Sequence, residues 1–206
     1  MDRSRLEAFS DGVFAVAITL LALNLTVEGR GLQHQLWEHR WSFGAYLLSF
    51  FVIGIIWVNH HTLIRSIARV DRTLLFLNLV LLLFVVLIPF TTATVAQYLP
   101  VRDPDVKVAM AMYSAVFLGM SIGFGLIFEW TLHGDHRTVP LPPEAHWPAR
   151  LRFVGGSGVY VVSFVISLFN ATIAFILIAV VALYYILENT PTSPAAPAAP
   201  ENPPDQ

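Results

Sequence analysis

Arg5-Leu6-Glu7-Ala8-Phe9-Ser10-Asp11, continuing through Gly12-Val13-Phe14-Ala15-Val16-Ala17-Ile18-Thr19-Leu20-Leu21, places ionisable side chains at the head of an apolar run that ends near Val27. A carboxylate at the centre of a bilayer costs about 2.5 to 3.5 kcal/mol on insertion scales, so a charged residue inside a span faces protein or water. Asp11 therefore needs a partner on another helix. Working outward, the rest of the chain has the composition of a membrane protein. It is 56% hydrophobic and 13% charged, where a soluble domain carries roughly 25% charged residues. A net charge of −2 leaves no basic stretch to neutralise a row of phosphates, which argues against nucleic-acid binding. Without cysteine there is no disulfide framework, thiolate metal site or cysteine nucleophile. Asp11 and Asn24 interrupt the first run and no small-residue cleavage site follows it, so it reads as a retained span and not a leader.

A spanning helix needs about 20 mostly apolar residues, which predicts spans near 5–27, 42–64, 73–98, 107–131, 152–169 and 171–187. The last two form one stretch broken only around Asn170. Some 35 residues at about 1.5 Å each would overshoot a core of about 30 Å, so a tight helical hairpin is favoured over one long helix. Gly155, Gly156 and Gly158 predict an irregular start to the fifth span. Thr138 to Arg150, with Pro140, Pro142, Pro143 and Pro148, reads as a rigid loop. Residues 1–190 form the membrane unit, and the Pro/Ala-rich segment 191–206 reads as a disordered tail because it has no apolar pattern to offset its ordering entropy. Placing the N-terminus in the cytoplasm puts Arg3, Arg5, Arg65, Arg69, Arg72, Arg137, Arg150 and Arg152 inside, against Arg30, Arg40, Arg102 and Lys107 outside. The positive-inside rule selects this topology, with both termini cytoplasmic.

Counting inward from the cytoplasmic ends brings the polar residues of three spans to one level. Asp11 lies about 9 Å beyond Arg5, His60 and His61 about 6 to 8 Å beyond Arg65, and Asn78 about 8 Å into the third span. Ser10, Asp11, Asn59, His60, His61 and Asn78 thus share a depth in the inner leaflet, where each meets another's hydrogen-bonding need. His60 and His61 are the first candidates to pair with Asp11. A structural clamp joining three helices is the favoured reading. Proton coupling through histidines that titrate near neutral pH stays open, and with it a proton-coupled transporter of a small solute or ion using Asp11, His60 and His61. Adjacent histidines diverge by about 100°, which argues against a metal site built on the pair. No nucleophile, base and orienter set accompanies them, so the chain does not read as an enzyme, and no cofactor is implied.

On the first span Ala8, Gly12, Ala15, Thr19 and Ala22 form a stripe of small residues of the kind that lets helix backbones approach closely. Val16, Leu20 and Leu23 form a bulkier row beside it. Lipid contact or ordinary packing explains such a row as readily as a pore does.

Arg5-x-x-x-Phe9-Ser10-Asp11, with the run to Leu21, resembles the signature of the prokaryotic members of the transmembrane protein 175 family of potassium channels. Trp57-x-x-His60-His61, Asp71, and Leu77-Asn78-Leu79 leading to Pro89-Phe90 are similar to the family in the second and third spans. The resemblance covers residues 5 to 190. It implies an all-α homotetramer in the cell membrane, six transmembrane helices per subunit, with the first helix of each lining a central pore. It also implies that Arg5, Ser10 and Asp11 belong to a network that anchors that helix to the second and third, with His60, His61 and Asn78 as its partners there. By position after the signature, Val16 is similar to the hydrophobic constriction, Thr19 to a hydroxyl layer implicated in selectivity, and Leu20 and Leu23 to further pore-lining positions. The family's constriction is usually Ile or Leu, so Val16, one methylene shorter, implies a wider bore and looser selectivity. No Thr-Val-Gly-Tyr-Gly stretch exists to ring an ion with carbonyls; four apolar side chains around an axis would instead gate by dewetting, with potassium as the permeant ion. A single copy of the signature requires oligomerisation to supply the symmetry.

Overall fold

The computed structural model describes residues 2–23, 25, 32–99, 105–134 and 136–187. The segment 191–206, the far end of the first predicted span, and Arg30 and Arg102 of the charge count lie outside the described residues. Among the described residues the helices are α1 (Arg3–Leu23), α2 (Leu32–Glu38), α3 (Arg40–Arg65), α4 (Arg72–Tyr98), α5 (Val106–Leu132), α6 (Pro143–Ser167) and α7 (Ala171–Leu187). Five of them, α1 and α3 to α6, are long and apolar enough to cross a membrane, and α7 is a shorter apolar helix. With α7 they correspond to the six predicted spans. The seven-residue α2 is an addition that no 20-residue window could reveal.

The helix ends follow from local chemistry. Asp71 opens α4 by accepting a hydrogen bond from the Leu74 amide at 2.8 Å, which satisfies one of the four amides that a helix start leaves without a partner. Asn170 does the same for α7, its Oδ1 accepting from the Ile173 amide at 3.1 Å. That cap is the physical content of the predicted break, and α6 and α7 form the hairpin expected around it.

Two expectations about α6 are corrected. The helix begins at Pro143, nine residues before the predicted start at 152, and takes over half of the stretch read as a loop. Proline is tolerated in a first turn because its missing amide hydrogen would have had no partner there, and Glu144 adds a favourable negative charge at that end. The helix also runs unbroken through Gly155, Gly156 and Gly158. Gly156 is a place of close approach: a β-carbon there would lie 3.3 Å from the Tyr185 hydroxyl of α7 and 4.0 Å from the Ser121 hydroxyl of α5.

At the centre α4 packs against α5. On one flank α1 and α3 pack on α4, and on the other α6 and α7 pack on α5. Gly119 and Gly123 of α5 make the central contact close, since β-carbons there would collide with the Phe84 ring and press on Leu81 of α4. Small residues take this role in membranes, where apolar transfer does not drive helices together and close packing must. Buried hydroxyls add further ties. Ser49 of α3 hydrogen-bonds both Thr92 of α4 (2.7 Å) and Tyr113 of α5 (2.8 Å). Ser114 and Ser163 pair at 3.1 Å between α5 and α6, as do Ser121 and Ser157 at 2.8 Å.

A short clip joins the connections that follow α3 and α5. Ile67 and Arg137 form an antiparallel bridge, with Ala68 donating to the His136 carbonyl at 2.7 Å and Thr138 to the Ser66 carbonyl at 2.9 Å. Burial holds the Arg137 pKa below its usual value, and its guanidinium donates to the Thr131 hydroxyl at 3.1 Å.

Candidate functional site

Among the described residues helix α1 packs chiefly against α3 and α4, on one flank of the subunit, and its faces divide accordingly. Leu6, Ser10, Phe14, Ala17 and Leu21 are buried. Phe9, Val16, Leu20 and Leu23 are exposed, in a row roughly 120° around the helix from the buried face. Thr19 and the small residues Ala8, Gly12, Ala15 and Ala22 are exposed as well. Ala8, Phe9, Gly12, Val13 and Val16 line an apolar groove completed by Val86 of α4. The Thr19 hydroxyl donates to the Val16 carbonyl at 2.9 Å. Its proton is thereby engaged in the helix, and its oxygen lone pairs are left to meet whatever lies outside.

On the buried face a line of hydrogen bonds crosses three helices. His60 of α3 meets Asn78 of α4 through Nε2 and Oδ1 at 2.7 Å; Asn78 Nδ2 donates to the Ser10 hydroxyl at 3.0 Å, and Ser10 donates to the Leu6 carbonyl at 2.9 Å. Because the amide oxygen of Asn78 is the acceptor, His60 donates from Nε2. All three side chains are buried. The rings of Phe14 and Phe124 stand 5.3 and 6.3 Å from the imidazole. Ser10, His60 and Asn78 thus meet where counting residues inward brings them.

Asp11 does not meet either histidine, which corrects the expected pairing. It accepts a hydrogen bond from the Trp57 indole nitrogen at 2.8 Å. Ser10 and Asp11 are successive residues about 100° apart on the helix, so when Ser10 turns to the core, Asp11 turns to the flank of α3. There Trp57, His61 and Arg65 form a row at four-residue spacing. Opposite them, in antiparallel order, α1 presents Arg3, Glu7 and Asp11 at the same spacing. Glu7 Oε1 lies 3.2 Å from His61 Nδ1 and 3.6 Å from Arg65 Nε. The Arg65 distance makes an ion contact, and the His61 distance makes one when the imidazole is protonated, while neither Glu7 Oε1 nor His61 Nδ1 has hydrogen-bond geometry to any partner. Arg3 completes the ladder by donating to the carbonyls of Arg65 (3.2 Å) and Ile67 (3.1 Å) at the end of α3. A cation here satisfies helix-end carbonyls and complements the helix dipole.

Arg5 and Asn59 join neither set. Both are exposed, and Arg5 has no side-chain partner among the described residues. Arg3, Glu7 and Trp57 were not singled out as partners from the sequence, although their matched four-residue spacing could have revealed them. Among the described residues no group of three or more His, Asp or Glu could hold a metal ion.

Residues 5–89, which contain the buried line and all of the ladder except Arg3, match the model of the family described as endosomal/lysosomal potassium channel TMEM175. A potassium channel of Streptomyces collinus is 40% identical over 92% of this chain and 94% of that protein. The chain belongs to the TMEM175 family. A second relative, a potassium channel of Chamaesiphon minutus, is 34% identical over 91% of this chain and 95% of its own length. The crystal structure of a lysosomal potassium-selective channel TMEM175 homologue from the same organism superposes with a TM-score of 0.80 at 33% identity. That match covers 90% of this chain and 96% of that one. The likeness thus extends well beyond residues 5–89, and the chain is a multi-pass membrane protein of a channel family and not an enzyme.

Proposed function

We propose that the protein is a potassium-permeable, modestly selective cation channel assembled from four copies of the chain, with residues 1–190 as the channel unit and α1 of each copy lining a central pore. The observation that carries this reading is the face of α1 that the subunit leaves uncovered: Val16, Leu20 and Leu23 are respectively 56%, 37% and 74% exposed. Their likeness to pore positions of the TMEM175 family supports placing that row on the axis. Rings of these side chains form a hydrophobic constriction that closes by dewetting. A ring of Thr19 oxygens, each with its proton donated to Val16, offers partial replacement of the ion's hydration shell. Such a site favours the cation that sheds water at lower cost, potassium over sodium. Ser10, Asp11, His60, His61 and Asn78 hold α1 at a fixed depth and rotation without touching the ion, while Arg5 faces away from them at the same end. The membrane is the cell membrane, with both termini cytoplasmic, as the distribution of arginines indicates.

Liposomes reconstituted with the protein under a potassium gradient test the assignment. Val16→Asn is expected to raise flux by wetting the constriction, and Thr19→Ala to reduce the preference for potassium over sodium. Unchanged flux and selectivity in both variants would remove α1 from the pore.

A further inference from the structure

Beside the first turn of α1 is a polar groove that the channel reading does not use, lined by Asp2, Arg3, Ala68, Arg69 and Val70. It lies between the start of the first helix and the connection from α3 to α4, at the end of the bundle where α1 and α4 begin and α3 ends. The charges around it are unbalanced. Asp71 is committed to the Leu74 amide and Glu7 to His61 and Arg65. Asp2 accepts from the Ser4 hydroxyl at 3.0 Å, and the hydrogen bonds from Ser4 hold its carboxyl below the usual carboxylate range. Asp2 is therefore ionised and is the one acidic member of the groove. Arg69 is exposed and has no carboxylate partner among the described residues. Arg5 and Arg72, exposed at the same end, have none either, and Arg72 rests over the Phe76 ring at 5.5 Å.

We propose that this groove binds the phosphate of an anionic glycerophospholipid from the leaflet on the N-terminal side, with Arg69 and Arg3 as its principal ligands. Guanidinium forks suit this role because they match phosphate oxygens in pairs, and basic residues just outside a spanning helix attract anionic headgroups. The exposed apolar side chains of the adjoining helix, Phe76, Leu79, Val80 and Leu83, leave room alongside α4 for acyl chains. Arg3 already ties α1 to the end of α3 through two carbonyls, so a phosphate shared with Arg69 makes a second tie between the first helix and the α3–α4 connection. The binding goes beyond the channel reading; only its effect on flux rests on it.

Native mass spectrometry of the full-length protein, incubated with equimolar phosphatidylglycerol and phosphatidylcholine, tests the proposal. The expected result is preferential retention of phosphatidylglycerol. Arg69→Gln should weaken that preference about fivefold, the effect of one interfacial charge, with Arg69→Lys intermediate. Asp2→Asn should strengthen it by removing the competing acid, and Arg40→Gln, at the other end of α3, should leave it unchanged. Equal retention of the two lipids, or an equal loss in Arg40→Gln and Arg69→Gln, overturns the site. Displacement of the lipid by millimolar inorganic phosphate would make it a free-anion site and overturn the lipid assignment. Potassium flux measured in parallel should rise when phosphatidylglycerol is added to phosphatidylcholine vesicles. Absent flux in every vesicle, with binding intact, counts against the channel reading alone.

Discussion

His60, Asn78 and Ser10 illustrate how one buried amide can serve two neighbours of different chemistry, since its oxygen takes the imidazole proton while its nitrogen supplies the hydroxyl. Asn78→Leu removes both services. The Ser10 hydroxyl keeps the Leu6 carbonyl, whereas His60 Nε2 is left buried with an unused proton. An orphaned buried polar atom costs about 1 to 3 kcal/mol, and a substantial drop in thermal stability in detergent is the expected outcome. Trp57→Phe is the milder change, because it removes a hydrogen bond at a site already 41% exposed and keeps most of the ring; interhelical hydrogen bonds in membranes average about 0.6 kcal/mol. If the two variants melt together, the buried line does not dominate the attachment of α1. Depth along each span was legible in the sequence, and it brought Ser10, His60 and Asn78 to one level. Rotation was not. Asp11 was sought beside a histidine because depth alone cannot distinguish residues one position apart, and 100° of helix turn gave it to Trp57.

At the scale of the element, α5 depends on the absence of side chains. Gly119→Val would drive a branched side chain into the Phe84 ring, and overpacking of this kind destabilises by about 1 to 3 kcal/mol. Phe84→Ala in the same molecule should recover part of the loss, and a double-mutant cycle on melting temperatures reads the coupling. The Glu129–Arg150 pair between α5 and α6 makes the opposite case. Its two nitrogens meet both carboxylate oxygens, Nε at 2.9 Å from Oε2, but both side chains are about 40% exposed. Water and salt screen such a pair, so Glu129→Gln should cost less than about 1 kcal/mol, and less still at high ionic strength. Element boundaries were readable where apolar runs met caps, as at Asp71 and Asn170. They were not readable at Pro143, where a cluster of prolines resembles a loop until Pro143 is seen to occupy a helix's opening turn, nor at Leu32–Glu38, too short to register as a period.

For the whole molecule, the decisive property is the face of α1 left without a neighbour. A chain free of native cysteine allows a clean test: in Leu23→Cys, oxidation in membranes should give cross-linked dimers if first helices meet on an axis, while Leu183→Cys on α7, exposed at the far flank, should give none. Cross-linking of both positions alike, or of neither, would argue against a central α1. No periodicity could have separated an axis-facing row from a lipid-facing one, since both are apolar and both are uncovered in a single subunit.

The clip between Ile67 and Arg137 gives the subunit a mechanical linkage. A pull on the connection after α5 passes through Thr138 and His136 to residues 66–68, and the Ile67 carbonyl at that point is one of the two that hold Arg3. The attachment of the first helix is therefore linked to the connection after α5 by a route that bypasses the packed centre of α4 and α5, and a handle on α1 lies at the edge of the bundle.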